Sequence, residues 1–423
     1  MGLLVVCSAL MVLCCSYISM TEAFTPYRKL GEPTKPGWPV VLVPGDGGSQ
    51  IEAKLVGKPE VVHYVCQKVT QDYFDLWLNL ELFLPYVIDC WVDNMKLFFN
   101  ETTNRTENSP GVVTRVPGWG NTSTVEWLDP SKSSSGLYYT TLVEKMVTLG
   151  YRRGKDVVGA PYDWRHGPGQ FDNYFDKLKE LIENTYRYNG NKKVVVVGHS
   201  MGNPVMLYFY NSLVTQEWKD KFIRSHVSMA GAWGGSLKIM KLFASGYNMG
   251  HYRIVLPPSK LRTMQRSFGS SAFLMPSYNL WDRSEVLASS PERNYTLANL
   301  EQFFTDINFE DGYRMYKQNA FMLGNLSGPG VEVHCIYSLG MDTPERFEWS
   351  KGYFPDYQPT TIHFGEGDGT VNQRSLETCL KWVENNNNKP VTKYVLNKVE
   401  HLDILNNAEA ISYVLKALYQ DLK

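Results

Sequence analysis

Gly198-His199-Ser200-Met201-Gly202 sets a serine between two glycines, each one residue removed from it. The apolar run Val194–Val197 precedes it, and a helical-looking run, Pro204 to Tyr210, follows. A strand, a sharp turn and a helix in that order present a serine hydroxyl as a nucleophile. Small residues are needed on both sides because side chains there would collide with neighbouring backbone. Pro204 suits the first helical turn, where its missing N–H costs nothing.

A serine hydroxyl needs a base to take its proton, and the base needs a group that holds its tautomer. In this arrangement the chain order is serine, acid, histidine. Beyond His251 lie only His334, His363 and His401. His334 and His363 sit inside strand-like runs and read as buried or facing a helix. His401 follows the last strand-like run in Val399-Glu400-His401-Leu402 and is the candidate base. His199 reads as a packing residue. The candidate acid is Asp368 in Gly365-Glu366-Gly367-Asp368-Gly369-Thr370, after the strand-like Thr361–Phe364, with Glu366 as rival. A tetrahedral intermediate also needs two backbone N–H donors. Met201, next to the serine, supplies one. Asp46 in Pro44-Gly45-Asp46-Gly47-Gly48 is the candidate for the other, through its backbone, since an ionised carboxylate beside the anion would oppose it.

The elements that must carry these residues are legible as buried apolar runs. Val40–Val43, Val194–Val197, Ser225–Met229, Val331–Ser338, Thr361–Phe364 and Lys393–Leu396 read as strands, with helices between them at Gln170–Tyr188 and Asn407–Leu422. Strands alternating with amphipathic helices predict an α/β chain: a mostly parallel sheet covered on both faces, the α/β-hydrolase fold. Two regions break the rhythm. Residues 64–92 hold an apolar stretch, Tyr73 to Ile88, expected as a helix that docks on a membrane through Trp77, Leu78, Leu80, Leu82 and Phe83. Packing on the core is the plainer reading of that stripe. Residues 236–330 read as a cap or lid, with 246–271 as the segment that could move. The expected core is then 34–235 with the insertion, completed by 331–423.

The chain has 423 residues, 43% hydrophobic, and a formal net charge of −1, which leaves no basic excess for a nucleic-acid binder. Protonating all eight histidines would raise that charge to +7, so an acidic compartment would make the protein cationic. Residues 1–23 read as a signal peptide: Leu3 to about Ile18 is apolar, and Thr21-Glu22-Ala23 offers a cleavage site. An uncleaved anchor is the alternative. Outside it remain Cys66, Cys90, Cys335 and Cys379, which allow three pairings, the local ones Cys66–Cys90 and Cys335–Cys379 being favoured. Their spacing suits no metal site, and no cofactor is expected. Glycosylation sequons stand at Asn100, Asn104, Asn121, Asn294 and Asn325.

Four stretches together resemble the lecithin:cholesterol acyltransferase family: Val43-Pro44-Gly45-Asp46, Gly159-Ala160-Pro161-Tyr162-Asp163-Trp164-Arg165, Gly198 to Asn203, and Gly367-Asp368-Gly369-Thr370-Val371-Asn372. Trp77 to Leu82 and Ala232-Trp233-Gly234-Gly235 favour its lysosomal phospholipase branch. The resemblance covers nearly the whole mature chain. It implies calcium-independent release of an acyl chain from a glycerophospholipid, passed to water or to a lipid alcohol such as ceramide. It also implies both local disulfides. The signal segment and cysteines point to export, with the lysosome lumen or secretion as the expected location, and the +7 charge in acid points to peripheral contact with anionic lipid. The alternatives are a secreted sterol acyltransferase and a non-catalytic lipid-binding protein. An acid compartment poses a tension, because a histidine base must be neutral. The expected resolution is that cationic charge favours binding to anionic lipid rather than the chemistry itself.

Overall fold

The computed structural model describes residues 35–132, 136–248 and 256–422. The signal-peptide reading and residues 249–255 of the expected lid lie outside them.

Six strands form one parallel sheet: β1 Val40–Val43, β2 Val157–Gly159, β3 Val194–His199, β4 Ile223–Met229, β5 Val333–Leu339 and β6 Val391–Asn397, in the order β6-β5-β4-β3-β1-β2. β1, β2 and β3 are buried at every position, as β-branched runs covered on both faces must be. Helix α1, Tyr174–Tyr188, buries Tyr174, Leu178, Ile182 and Thr185, a single stripe at helical spacing. Helix α2, Gly202–Tyr208, follows β3 directly. Helix α3, Ala408–Tyr419, buries Ala410, Ile411, Val414 and Leu418, and the Asn407 side chain caps its first turn. The mostly parallel sheet with helices over it is that of an α/β-hydrolase.

Chain order reverses at β1, whose neighbours β2 and β3 lie on opposite sides. In open α/β sheets the crevice at such a switch point, beyond the carboxyl ends of the strands, receives the ligand. The loops after β1 and β3 both open there.

Two expectations need correction. Thr361–Gly365 is a strand, but not of the central sheet. It pairs antiparallel with Thr343–Glu348 in a separate sheet that also holds Ala288–Ser289 and Asn294–Tyr295. Its residues are largely exposed, unlike a core strand. The stretch Tyr73 to Ile88 is also not one helix. Phe74–Trp77 is a strand on Ile51–Leu55, Leu80–Phe83 is a short 3₁₀ turn, Pro85 interrupts, and a helix begins only at Val87. Leu78 and Phe83 are buried, and Trp77 is half-buried with its indole N–H donating to Gly47 O at 2.8 Å. Phe83 meets Trp91 edge-on. Leu82 is half-buried, and Leu80 alone of the five expected contacts is exposed. The exposed apolar side chains nearby are Val62, Tyr64, Val65, Leu84 and Tyr86, gathered where Cys66 is bonded to Cys90.

The second disulfide is Cys335–Cys379, closing 44 residues of chain. Of the residues expected as a cap, the described ones fold mainly as helices, and the helix Pro258–Gln265 packs on the helix Val87–Met95. Among the described residues no helix is long and apolar enough to cross a membrane. Asn104, Asn121, Asn294 and Asn325 are exposed, whereas Asn100 is half-buried and donates to Glu107 Oε1 at 2.9 Å.

Arg165 ties the end of the helix Val87–Met95 and the strand Val112–Arg115 to the segment after β2. It is fully buried, pairs with Asp163 at 2.6 Å, and donates to Met95 O and Thr114 Oγ1. Burial pushes the Asp163 carboxyl up, but the Arg165 charge outweighs it and holds the pKa at about 2. A depressed carboxylate pKa stabilises the fold fully above the unfolded value of about 4 and loses that contribution as pH falls from there to about 2. Replacing Arg165 by Met should strand the carboxylate and cost about 3 kcal/mol. Thermal unfolding should show a deficit that is largest near pH 7 and shrinks as pH falls, because without Arg165 the pKa of the buried carboxyl is raised and it takes a proton.

Candidate active site

Ser200 has φ +50°, a left-handed conformation that serine adopts only under constraint. The constraint is the turn between β3 and α2. A Cβ at Gly202 would lie 2.5 Å from Pro44 O and 2.6 Å from Val43 O, so only glycine lets α2 start this close to β1. Ser200 N–H donates to Met229 O at 3.0 Å. The Asn203 amide donates to both Ser200 O and Met229 O, and His226 Nε2 meets Asn203 Oδ1 at 2.9 Å. A buried amide thus fixes the serine turn to the end of β4.

The three expected chemical groups converge. His401 Nε2 is 2.8 Å from Ser200 Oγ, and His401 Nδ1 is 2.7 Å from Asp368 Oδ2. A carboxylate can only accept, so Nδ1 carries the proton and Nε2 is free to receive the serine's. Asp368 is held in turn: its Oδ1 accepts the N–H groups of Thr370 and Val371, at 3.0 and 2.7 Å. Its backbone O accepts His401 N–H at 3.1 Å. The rival Glu366 points elsewhere and accepts Gly340 N–H at 3.0 Å. His334 is buried on β5 beside Glu332. His363 corrects an expectation, because it is exposed on the accessory sheet, paired with Glu348 at 3.0 Å.

The loop after β1 abuts the serine. Val43 is in register with Gly198, so Asp46 and Met201 each stand three residues beyond paired positions. A Cβ at Gly45 would come within 2.7 Å of Ser200 Cβ. The loop is pinned on several sides. Tyr162 Oη donates to Pro44 O at 2.8 Å, Trp77 Nε1 to Gly47 O at 2.8 Å, and Trp164 Nε1 to Ser49 O at 3.0 Å. Asp46 itself meets solvent at the cleft, yet the surrounding walls strip water from its carboxyl. That desolvation pushes its pKa up to about 7, with the Ser270 hydroxyl pulling the other way.

Sequence reasoning missed Tyr138 and Asn203 as parts of this assembly. Asn203 directly follows the serine motif, and that adjacency was the available signal. Tyr138 lies far from every motif, and nothing in the sequence marks it.

The sequence pattern of the lecithin:cholesterol acyltransferase family matches residues 73–408. The chain belongs to that family. A member from Rattus norvegicus, named lysosomal phospholipase A and acyltransferase, is 47% identical over 384 residues, 90% of this chain and 91% of that one. The Homo sapiens protein of the same name is 47% identical over 381 residues, again 90% of each. A phosphatidylcholine-sterol acyltransferase from Mus musculus is 40% identical over 390 residues, 92% of this chain and 86% of that one. Family members act by acyl transfer, and the serine, histidine and aspartate here are arranged for that chemistry.

Substituting Ser200→Ala or Asp368→Asn should lower kcat on a soluble ester by about 10⁴-fold or more with little change in KM, as removing members of such a unit does. Steady-state kinetics on folded variants would measure it. Wild-type turnover by Ser200→Ala would exclude Ser200 as nucleophile.

Proposed function

We propose that this chain is a phospholipase A and transacylase of the lysosomal phospholipase A2 (1-O-acylceramide synthase) type. The observation that carries the reading is the continuous hydrogen-bonded line Ser200–His401–Asp368 at the switch point of the sheet. The higher identity to the lysosomal relatives supports that branch over the sterol acyltransferases.

Ser200 Oγ attacks the ester carbonyl of a glycerophospholipid while His401 Nε2 takes the hydroxyl proton. The carbonyl oxygen becomes an oxyanion, stabilised by the backbone N–H groups of Asp46 and Met201. Collapse expels the lysophospholipid alkoxide, which receives the proton from His401. The acyl group then sits on Ser200. Water or the 1-hydroxyl of ceramide attacks next, giving its proton to His401 and returning the serine. Asp368 stays ionised throughout and stabilises the imidazolium.

The enzyme works at a lipid surface, in the lysosomal lumen or after secretion. The docking face centres on Leu80, Leu84, Tyr86, Tyr64 and Val62, which are exposed, rather than on Leu78 and Phe83. Such a face inserts apolar side chains into the headgroup boundary. Replacing Leu84 and Tyr86 together by Ser should weaken binding to anionic vesicles by about tenfold or more, with soluble-ester turnover unchanged. Vesicle sedimentation reads the first and a spectrophotometric assay the second. Equal sedimentation of wild type and variant would sink the docking face.

The Asp46 carboxyl adds a chemical source of acid dependence to the charge-driven binding expected from the histidines. It is neutral below about pH 7 and ionises as pH rises through that value. Turnover of a soluble ester should therefore fall as pH climbs past 7, and Asp46→Asn should extend activity upward. Superimposable profiles would remove Asp46 from the account.

The direct test is fatty-acid release from phosphatidylcholine/sulfatide vesicles carrying short-chain ceramide, with chelator present, beside Ser200→Ala. A parallel vesicle set carries cholesterol. Acylated ceramide and free fatty acid, both lost in the variant, are the expected result. Acylated cholesterol in place of acylceramide would move the assignment to the sterol branch. No turnover by wild type in either set would defeat the catalytic reading.

A further inference from the structure

His199 and Tyr138 lie behind the serine and touch no part of the cleft chemistry directly. Both are buried, at 1% and 2% exposure. Tyr138 Oη accepts Gly45 N–H at 2.9 Å, and lies 2.6 Å from His199 Nδ1. His199 Nε2 lies 3.1 Å from the backbone O of His401. The polarity of this line is fixed by chemistry. A backbone carbonyl can only accept, so Nε2 carries the His199 proton. Nδ1 is then an acceptor, and Tyr138 must donate to it. The tyrosine oxygen's lone pair is left for Gly45 N–H.

We infer that Tyr138 and His199 are positioning residues: one hydrogen-bonded line that sets the loop bearing Asp46 and the loop bearing His401 at a fixed distance from each other. The inference rests on the catalytic assignment of Ser200 and His401 made above. The line spans the two halves of the reaction machinery. Gly45 immediately precedes Asp46, and the His401 carbonyl belongs to the base itself. Packing reinforces it. A Cβ on Gly48 would press into the Tyr138 ring at 2.6 Å, and the His199 and His401 rings lie 5.1 Å apart.

The line works only with a neutral His199. A second ring proton would make Nδ1 a donor and turn it against the Tyr138 hydroxyl. Burial holds the His199 pKa down at about 3, helped by the nearby His401 charge and opposed by the bond to its carbonyl. Tyr138 is held protonated by the same burial, and acid pH only reinforces that state. The line therefore keeps its polarity across the range in which a lysosomal enzyme operates.

Tyr138→Phe removes one oxygen and leaves the ring's packing. His199→Gln keeps a donor and an acceptor, and His199→Phe keeps neither. On a soluble ester, Tyr138→Phe and His199→Phe should each lower kcat about 10- to 100-fold with KM within twofold, and His199→Gln should recover part of the loss. The double variant Tyr138→Phe/His199→Phe should be no slower than the worse single one, because both cut the same line. Thermal unfolding and near-ultraviolet circular dichroism establish that each variant is folded. If His199→Phe does not fold, Tyr138→Phe and His199→Gln carry the test. A kcat within twofold of wild type in folded Tyr138→Phe would overturn the inference, and so would multiplicative losses in the double variant. Ser200→Ala is run alongside. Turnover surviving in Ser200→Ala would defeat the catalytic assignment itself, whereas a dead Ser200→Ala beside a wild-type-like Tyr138→Phe defeats only the positioning line.

Discussion

The close approach of α2 to the end of β1 is the constraint on which the site depends. Gly202 sits against the carbonyls of Val43 and Pro44, and nothing larger fits. That contact forces the chain to turn within one residue, and the residue that turns is Ser200. The cost of its left-handed backbone falls on a position where the surroundings leave no alternative: β4 accepts its N–H, and Asn203 donates to its carbonyl. The same contact brings the loop after β1 beside the hydroxyl. The proposed nucleophile and oxyanion donors are therefore positioned by one packing event, not by two.

Burial has opposite consequences for the ionisable groups around this turn. His199 and His226 are driven towards neutrality, which suits imidazoles that serve as fixed hydrogen-bond partners. Asp46 is driven the same way, although its residue is exposed. Asp163 is the contrast. It is desolvated too, but Arg165 lies against it and keeps it ionised. The outcome at each site depends on whether a counter-charge was buried along with the group.

The chemistry was more legible in the sequence than the scaffold around it. Ser200 stands in a local motif, and chain order with loop position singled out Asp368 and His401. Five of the six central strands have four to seven residues with enough apolar sequence to be read directly; Val157–Gly159, with three residues, is too short to carry a pattern. The strand at Thr361–Gly365 was legible as a strand but not by sheet, because an exposed antiparallel edge and a sheet strand look alike over five residues. The stretch from Tyr73 to Ile88 misled for a related reason. Apolar residues spread around a helix and apolar residues shared among a strand, a turn and a helix give the same composition, and only pairing with Ile51–Leu55 separates them. Tyr138 was invisible because its role comes entirely from tertiary contact, 61 residues from its partner His199.

The accessory sheet joins the cap to the loop that holds Asp368. Ala288–Ser289 runs parallel to Phe347–Glu348, and Phe347 N–H and Trp349 N–H donate to Leu287 O and Ser289 O. Arg374 reaches both Glu285 and Glu345, and the Asn372 side chain accepts Leu237 N–H. A protein engineer who transplanted residues 236–330 from a relative would cut through this ladder. The graft would need the hairpin at Thr343–Gly365 to travel with it, so the modular unit for recombination is the cap together with the acid loop, two stretches of chain that are separate in the gene and continuous in space.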